Sequence, residues 1–181
     1  ESHYRWEDQL VLGLWAAAQR TEINKEKWKM VEDTWRKLQT PEGGWAYSGK
    51  PTEGHGVTIQ MTAAGVATLF ITQEYLHADD GIEGTKGNII DPYLNKGLAL
   101  VAKMLPDLYA GKGGNINYSM YGIERIGVAS GYKYFDKIDW FRDGADALIK
   151  KQSSQGNWGD EINTSFALLF LSRGRAPVSY T

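Results

Sequence analysis

Apolar residues in this chain recur with a helical period over most of its length. Between residues 28 and 38 they are spaced by steps of three, four and three: Trp28, Val31, Trp35 and Leu38. This spacing places them in one stripe along a helix, and charged residues fill the opposite side. The segment Trp28 to Gln39 is therefore predicted to be an amphipathic helix with one dry face, and Trp140 to Gln152 follows the same design.

A second kind of helix follows each amphipathic one. The segments Met61 to Phe70 and Thr164 to Leu171 are nearly free of charge, which is typical of helices buried on all sides. An amphipathic helix followed by an apolar one is what a two-layer helical shell requires. We therefore interpret the amphipathic helices as outer and the apolar helices as inner.

A third, less regular pair lies between these two. Its outer helix is Pro92 to Tyr109, with Asp91 as N-cap, and its inner helix is Tyr118 to Ser130. An additional inner helix covers Tyr4 to Ala18. The chain is thus predicted to be all-α, with about seven helices. Residues 58–62 alternate like a strand, but their apolar continuation favours a helix.

Two outer-to-inner links share one pattern, QTPEGGW at residues 39–45 and QSSQGNW at residues 152–158. Gly beyond a helix end lets the chain reverse, and the Gln amide can bond the unpaired carbonyls there. The Trp ring covers the reversal while its N–H seeks an acceptor. Gln39, Trp45, Gln152 and Trp158 are therefore predicted to clamp these turns, a structural role. The middle link, GKGGNIN at 111–117, keeps the glycines and loses the Trp.

Composition narrows the possible partners. The 181 residues fit one domain, and a net charge of −2 without single-sign blocks gives no footprint for nucleic acid or an anionic membrane. No apolar run reaches the ~20 residues of a transmembrane helix, so we expect a soluble chain. Because residue 1 is Glu and a helical pattern is under way by Trp6, we expect a piece of a longer protein.

The succession of outer helix, Gln, Gly-containing turn, Trp and inner helix resembles the QW repeat of squalene-hopene and oxidosqualene cyclases. Their wider superfamily includes the protein prenyltransferase β subunits. The stretch from Tyr121 to Val178 is similar to bacterial proteins described as squalene cyclase-like or as prenyltransferase and squalene oxidase repeat proteins. The resemblance implies an α/α toroid and a bacterial cytoplasmic or periplasmic location. Three and a half helical pairs would form only an open crescent, so the remaining repeats or another chain are expected to complete the ring.

The cyclases that the chain resembles protonate their substrate with the middle Asp of a D-x-D-D motif. The nearest string here is His77-Ala78-Asp79-Asp80, in which His replaces the first Asp and Gly81 follows. We interpret it as a helix end and a loop. The alternative pattern, Asp79-Asp80-x-x-Glu83, resembles a magnesium-diphosphate motif, but neighbouring glycines favour a solvated loop. Prenyltransferase and thioester chemistry both need Cys, which the chain lacks.

Candidate site residues lie on the third inner helix. Tyr118, Tyr121 and Glu124 follow at steps of three and share roughly one face, with Arg125 adjacent. Ionisable groups on an apolar helix are costly unless they are paired or wetted by a cavity, so these four residues are predicted to line one. The alternative is a structural pairing of Glu124 or Arg125 with an acidic residue: Asp8, Asp160 or Glu161.

The loop Ser48 to Gly56 is a second candidate, because inserted loops of repeat proteins often line a binding surface. It carries Glu53 and His55 between glycines, and the alternative is a plain surface excursion. The three His residues are isolated in sequence, and none has a second His or a carboxylate four positions on. We therefore predict no metal site and no cofactor.

Two function classes remain from the sequence. The first is a non-catalytic repeat domain that presents a concave face to a lipid or isoprenoid, a glycan or a protein. The second is a fragment of a terpene or triterpene cyclase-like enzyme without an intact acid motif. A third option, a carbohydrate-active toroid, would need Trp6, Asp8 and Glu124 to come together as aromatic platform and paired carboxylates.

Overall fold

The computed structural model describes residues 7–49, 51–52, 55–78, 91–112 and 114–173 of the chain. Within these ranges it contains seven helices and one two-stranded hairpin, so the prediction of a mostly helical chain is confirmed. The elements are α1 (Glu7–Ala18), α2 (Lys25–Leu38), α3 (Ile59–Leu76), α4 (Pro92–Tyr109), α5 (Ile116–Ser130), β1 (Tyr134–Phe135), β2 (Ile138–Asp139), α6 (Trp140–Lys151) and α7 (Glu161–Arg173).

The chain divides into two compact units, residues 1–100 and 101–181. In the first unit α3 packs against α2 and α1. It is buried over most of its circumference, as its nearly uncharged sequence predicts, and Thr58 caps its start by accepting a hydrogen bond from Met61 N. One core of this unit joins three helices through Val11, Trp28 and Ile71.

In the second unit α5 packs against α7, and α6 contacts both. Asn115 caps the start of α5, and Gly131 ends it in the left-handed conformation, with φ 67°. The core of this unit contains the fully buried side chains of Met120, Leu148 and Phe170. In the predicted pairing, α6 and α7 are the outer and inner helices of one pair, and α5 is the inner helix of the preceding pair.

The helix α4 begins and ends where the sequence predicts. The carboxylate of Asp91 accepts hydrogen bonds from Tyr93 N at 2.8 Å and Leu94 N at 3.3 Å, which is the expected N-cap. At the other end Gly111 has φ 86°, and Lys112 N donates to Asp107 O at 2.8 Å. The middle link therefore reverses through a glycine-based helix cap, without Gln or Trp.

The hairpin of β1 and β2 was not predicted. Tyr134 pairs with Asp139 and Phe135 with Ile138, and each strand has two residues. Strands this short carry no alternation that a sequence can reveal. The indole of Trp140 holds the segment in place, because its Nε1 donates to Tyr132 O at 2.6 Å and its ring stacks on Phe135.

None of the helices in the described ranges combines the length and the apolar character needed to cross a bilayer. This agrees with the prediction that the chain does not span a membrane.

Candidate functional site

The two links with the Gln-to-Trp pattern are built alike. Gln39 ends α2 with φ −64° and ψ 132°, and Gln152 ends α6 with φ −63° and ψ 133°. Each side-chain amide donates to a main-chain oxygen four positions on, Gln39 to Gly43 at 3.1 Å and Gln152 to Gly156 at 2.9 Å. Both glycines have positive φ, 101° and 81°. Each turn therefore needs glycine, which has no Cβ and adopts this conformation without steric strain.

The two indoles also occupy equivalent settings. Trp45 Nε1 donates to Trp35 O and Trp158 Nε1 to Leu148 O, each at 2.8 Å and ten positions back along the chain. Each indole therefore satisfies a carbonyl in the last turn of the outer helix, where intrahelical donors are missing. The Gln and the Trp together fasten the end of the outer helix to the link.

A hydroxyl on the inner helix completes this clamp, and sequence analysis missed it. Thr62 Oγ1 accepts from Trp45 N at 3.4 Å, and Thr164 Oγ1 accepts from Trp158 N at 3.1 Å. The signal in the sequence is a hydroxyl four residues after the N-cap. The middle pair shares it, because Ser119 follows the cap Asn115 by four residues and donates to its carbonyl at 2.8 Å.

The upstream Trp residues of the two outer helices are not equivalent, although both precede a Gln. Trp28 stands eleven positions before Gln39, and the residue eleven positions before Gln152 is Phe141. Trp28 stacks on Tyr75 of α3 with ring centroids 4.4 Å apart, whereas Trp140 packs on the hairpin. The sequence match between these two Trp residues is therefore off by one position.

The predicted site residues on α5 lie beside a ring from α7. Tyr118 and Tyr121 contact Phe166 with centroid separations of 5.3 and 5.4 Å, and the guanidinium of Arg125 lies 5.5 Å from the Tyr121 centroid. All four side chains are partly exposed. We call Tyr118, Tyr121, Arg125 and Phe166 the aromatic face. Phe166 was missed because it comes from a different helix.

Glu124 lies deeper than the two tyrosines with which it shares its spacing. Its side chain is only 1% exposed, and it belongs to the same buried side of α5 as Met120 and Ile123. A buried carboxylate is strongly sensitive to nearby charge, since the surrounding dielectric is low. Glu124 is therefore buried, whereas Tyr118, Tyr121 and Arg125 are partly exposed.

The other predicted residues lie elsewhere or outside the description. His55 is exposed in the loop of the first link, where its main chain exchanges hydrogen bonds with Thr52 at 3.0 and 3.2 Å. Asp8 lies on α1, and its side chain is outside the described part. Four more acidic residues also lie outside the described part: Glu53, Asp79, Asp80 and Glu83. Asp160 caps α7 by accepting a hydrogen bond from Asn163 N at 2.7 Å. Across the described residues, no three His, Asp or Glu side chains are grouped to hold a metal ion.

A buried charged cluster in the first unit was also missed. Glu32 of α2, 1% exposed, lies 3.1 Å from His77 Nε2 and accepts a hydrogen bond from Arg36 at 3.0 Å. Arg36 donates at 2.6 Å to Asp91 as well, the residue that caps α4. The sequence assigned Glu32 to the solvated side of an amphipathic helix. His77 ends α3 and stands at the first acid position of the D-x-D-D-like string. It thus contacts the buried carboxylate of Glu32 on α2.

Comparison of the chain with protein-family models, with curated proteins and with solved structures finds no match. The squalene cyclase-like resemblance therefore stays a prediction that rests on the quoted motifs.

Proposed function

We propose that the chain is a squalene cyclase-like helical-repeat domain that binds a ligand or partner and performs no cyclase chemistry of its own. Two outer-to-inner pairs closed by equivalent clamps support a repeat architecture. In this proposal the pairs belong to an α/α toroid, whose remaining pairs come from further repeats or another chain. Repeat proteins of this kind use one face of the array for binding.

The observation that carries the proposal is the aromatic face on α5 and α7. Two partly exposed tyrosine rings both contact the Phe166 ring there, and the guanidinium of Arg125 lies over the Tyr121 ring. Inner helices carry few charged residues, so a partly exposed cation and phenol groups in one place support a surface that meets a ligand. The rings supply apolar contact, and Arg125 supplies charge and hydrogen bonds for a polar end.

The ring geometry favours an isoprenoid or other lipid over a glycan. Tyr118 and Tyr121 meet Phe166 at interplanar angles of 68° and 39°, so the rings interlock and form no flat platform. A sugar ring needs an open aromatic face, whereas an alkyl chain gains dispersion energy from ring edges and faces alike. A ligand with an aliphatic body and a hydroxyl or anionic head fits both the rings and Arg125.

The cyclase alternative needs a strong acid, which the described site does not contain. To protonate an alkene, a carboxylic acid must hold its proton over an apolar cavity. At the first position of the acid-like string stands His77, which contacts Glu32 on the outer helix α2. These observations support binding over catalysis.

The experiment is a titration of the protein with farnesol, followed by NMR of the aromatic ring protons. We expect saturable shifts of the Tyr121 and Phe166 signals. Phe166→Ala removes one ring from the contact, which is worth about 1.5–3 kcal/mol, so it should weaken binding about tenfold or more. Tyr134→Ala is the matched control, because Tyr134 is an exposed aromatic residue on β1, outside the aromatic face.

Three results would contradict the proposal in different ways. Absence of saturable shifts in the two rings removes the isoprenoid assignment. Saturable shifts with N-acetylchitotriose but none with farnesol assign the face to glycans. Formation of a cyclic product from squalene, measured by mass spectrometry, shows that the chain is an enzyme.

A further inference from the structure

The first link is covered by the first half of α4. Gln39 uses its second amide N–H to donate to Tyr93 O at 2.9 Å, while Leu94 is buried at 3% exposure. Gly97 lies directly on the inner helix, because a Cβ at this position would stand 2.5 Å from Val66 Cγ2. The helix thus covers the Gln, the Trp and the adjacent turn of α3.

The equivalent surface of the second link is open. Leu168 stands four positions after Thr164, as Val66 stands four after Thr62, yet Leu168 is 54% exposed and Val66 is fully buried. Ile149 takes the place of Arg36, three positions before the Gln, and is 59% exposed. We call this surface the open link face: Ile149, Gln152, Trp158, Ile162 and Leu168.

The Gln of the second link makes half the hydrogen bonds of its counterpart. Gln39 donates to two carbonyls, and Gln152 donates to Gly156 O alone among the described residues. Trp45 is 1% exposed, while Trp158 is half-buried. The same clamp is therefore covered by a helix in one unit, while in the other no helix among the described residues covers it.

We propose that the open link face binds an amphipathic helix supplied from outside the described residues, in the way that the first half of α4 covers the first link. Scattered exposed apolar side chains are ordinary in proteins. These differ because Leu168 and Trp158 occupy positions whose counterparts, Val66 and Trp45, are buried by a helix. The contacts of α4 with the first link therefore serve as the template for the helix that binds the open link face.

The template specifies the chemistry of the partner helix. Its first turn presents a main-chain carbonyl to Gln152, as Tyr93 presents one to Gln39. One turn further it carries Gly or Ala against Leu168, at the position equivalent to Gly97, because a larger residue would collide with the inner helix. Since Ile149 replaces Arg36, the partner needs an apolar residue where α4 begins with Asp91.

The test is a titration of the intact chain with a synthetic peptide of residues 91–109 that carries Asp91→Leu, which supplies the apolar residue that Ile149 requires. We expect saturable NMR shifts of the Trp158 indole N–H and the Gln152 side-chain amide. Leu168→Lys places a charge in the contact and should weaken binding about tenfold or more, the equivalent of one buried leucine. Leu168→Met should keep binding within about threefold, since it preserves apolar volume.

Met30→Lys is the control for added charge, because Met30 is 65% exposed on α2 of the first unit and is not one of the residues of the open link face. It should leave the affinity unchanged. The proposal fails if the Trp158 and Gln152 signals do not move, or if only Trp45 responds, which would mean that the peptide displaces the chain's own α4. It also fails if Leu168→Lys binds as well as the wild type. Self-association of the chain in sedimentation, lost in Leu168→Lys, would assign the face to a second copy.

Discussion

The carboxylate of Glu32 on α2 lies 3.1 Å from the imidazole of His77, the residue that ends α3. Arg36 joins the same carboxylate to Asp91 at the start of α4. Three elements far apart in sequence are therefore tied together by one cluster built on two buried carboxylates, Glu32 and Asp91. Such a cluster stabilises the fold only while all its partners are present, because each buried charge depends on the others.

Arg36→Met should destabilise the first unit strongly. The substitution leaves the carboxylates of Glu32 and Asp91 buried without their shared cation, and we expect a loss of about 2–3 kcal/mol in the free energy of unfolding. Urea denaturation measures it. Lys37→Met is the control on the same helix, since Lys37 is exposed and is not part of the cluster, and it should change the free energy of unfolding by less than about 0.5 kcal/mol. Equal effects of the two substitutions would contradict the role of the buried cluster.

The two Gln residues should differ in their contribution to stability. Gln39→Ala removes two hydrogen bonds in a partly buried setting, and we expect a loss of about 2 kcal/mol. Gln152→Ala removes one exposed bond, and we expect about 1 kcal/mol or less. Gln155→Ala, in the same exposed turn as Gln152, is the control and should stay within about 0.5 kcal/mol. Thermal unfolding of the three variants gives the ranking, and a larger loss at Gln152 than at Gln39 would refute it.

Gly127→Ala should destabilise the protein although alanine favours helices by about 1 kcal/mol. A Cβ at this position would lie 2.1 Å from Trp140 Cζ2, an atom of a rigid ring that is held by its own hydrogen bond. We expect a net loss of about 1–3 kcal/mol from overpacking.

Gly13→Ala on α1 is the matched control for the glycine substitution. A Cβ on Gly13 would meet nothing within 4 Å, so helix propensity alone should act and raise stability by up to about 1 kcal/mol. Circular dichroism during thermal unfolding distinguishes the two variants. A rise in stability in Gly127→Ala as well would show that Trp140 yields to the added methyl group.

Tyr109 makes the stability of the fold decrease at alkaline pH. Burial, followed by the charges of Asp143 and Asp139, raises the pKa of its phenol well above the ordinary value of 10.0. The folded state therefore binds this proton more tightly than the unfolded chain. The resulting stabilisation is fully present below pH 10 and is lost as the pH rises through the folded pKa.

Tyr109→Phe should be about 1 kcal/mol less stable than the wild type at pH 8, because it loses the hydrogen bond to Trp140 O at 3.0 Å. Between pH 10 and 11 this difference should shrink by about 1 kcal/mol, since only in the wild type does the unfolded chain gain free energy by ionising this phenol while the buried phenol keeps its proton. Urea denaturation at each pH measures both effects. Parallel stability curves for the two proteins would exclude Tyr109 as the titrating group.

Local signals in the sequence predicted the helices well. The bounds of α4 agree at both ends because Asp91, Pro92 and Gly111 each act within one turn of the chain. The Gln and Trp of the two links were also visible, since their partners lie four and ten positions away on the same segment. Contacts of this range depend little on tertiary structure.

Features that join separate segments were predicted less well. Glu32 was assigned to a solvated face, because helical spacing shows that two sides differ without showing what covers each one. The aromatic face was half predicted, since Tyr118, Tyr121 and Arg125 share one helix and Phe166 comes from another. The arrangement of the helical pairs into a ring remains a prediction.

The first link carries an excursion that the second lacks. Trp45 and Thr58 are joined by a main-chain hydrogen bond of 3.2 Å across residues 46–57, and a bridge between Ala46 and Val57 closes the same neck. In the second link one residue, Gly159, separates Trp158 from the capping Asp160. The connection between the Trp of the link and the N-cap of the next helix thus has one residue in one link and twelve in the other. We expect a foreign peptide inserted between residues 46 and 57 to leave the helices intact, because the hydrogen bond and the bridge hold the two ends of this segment together.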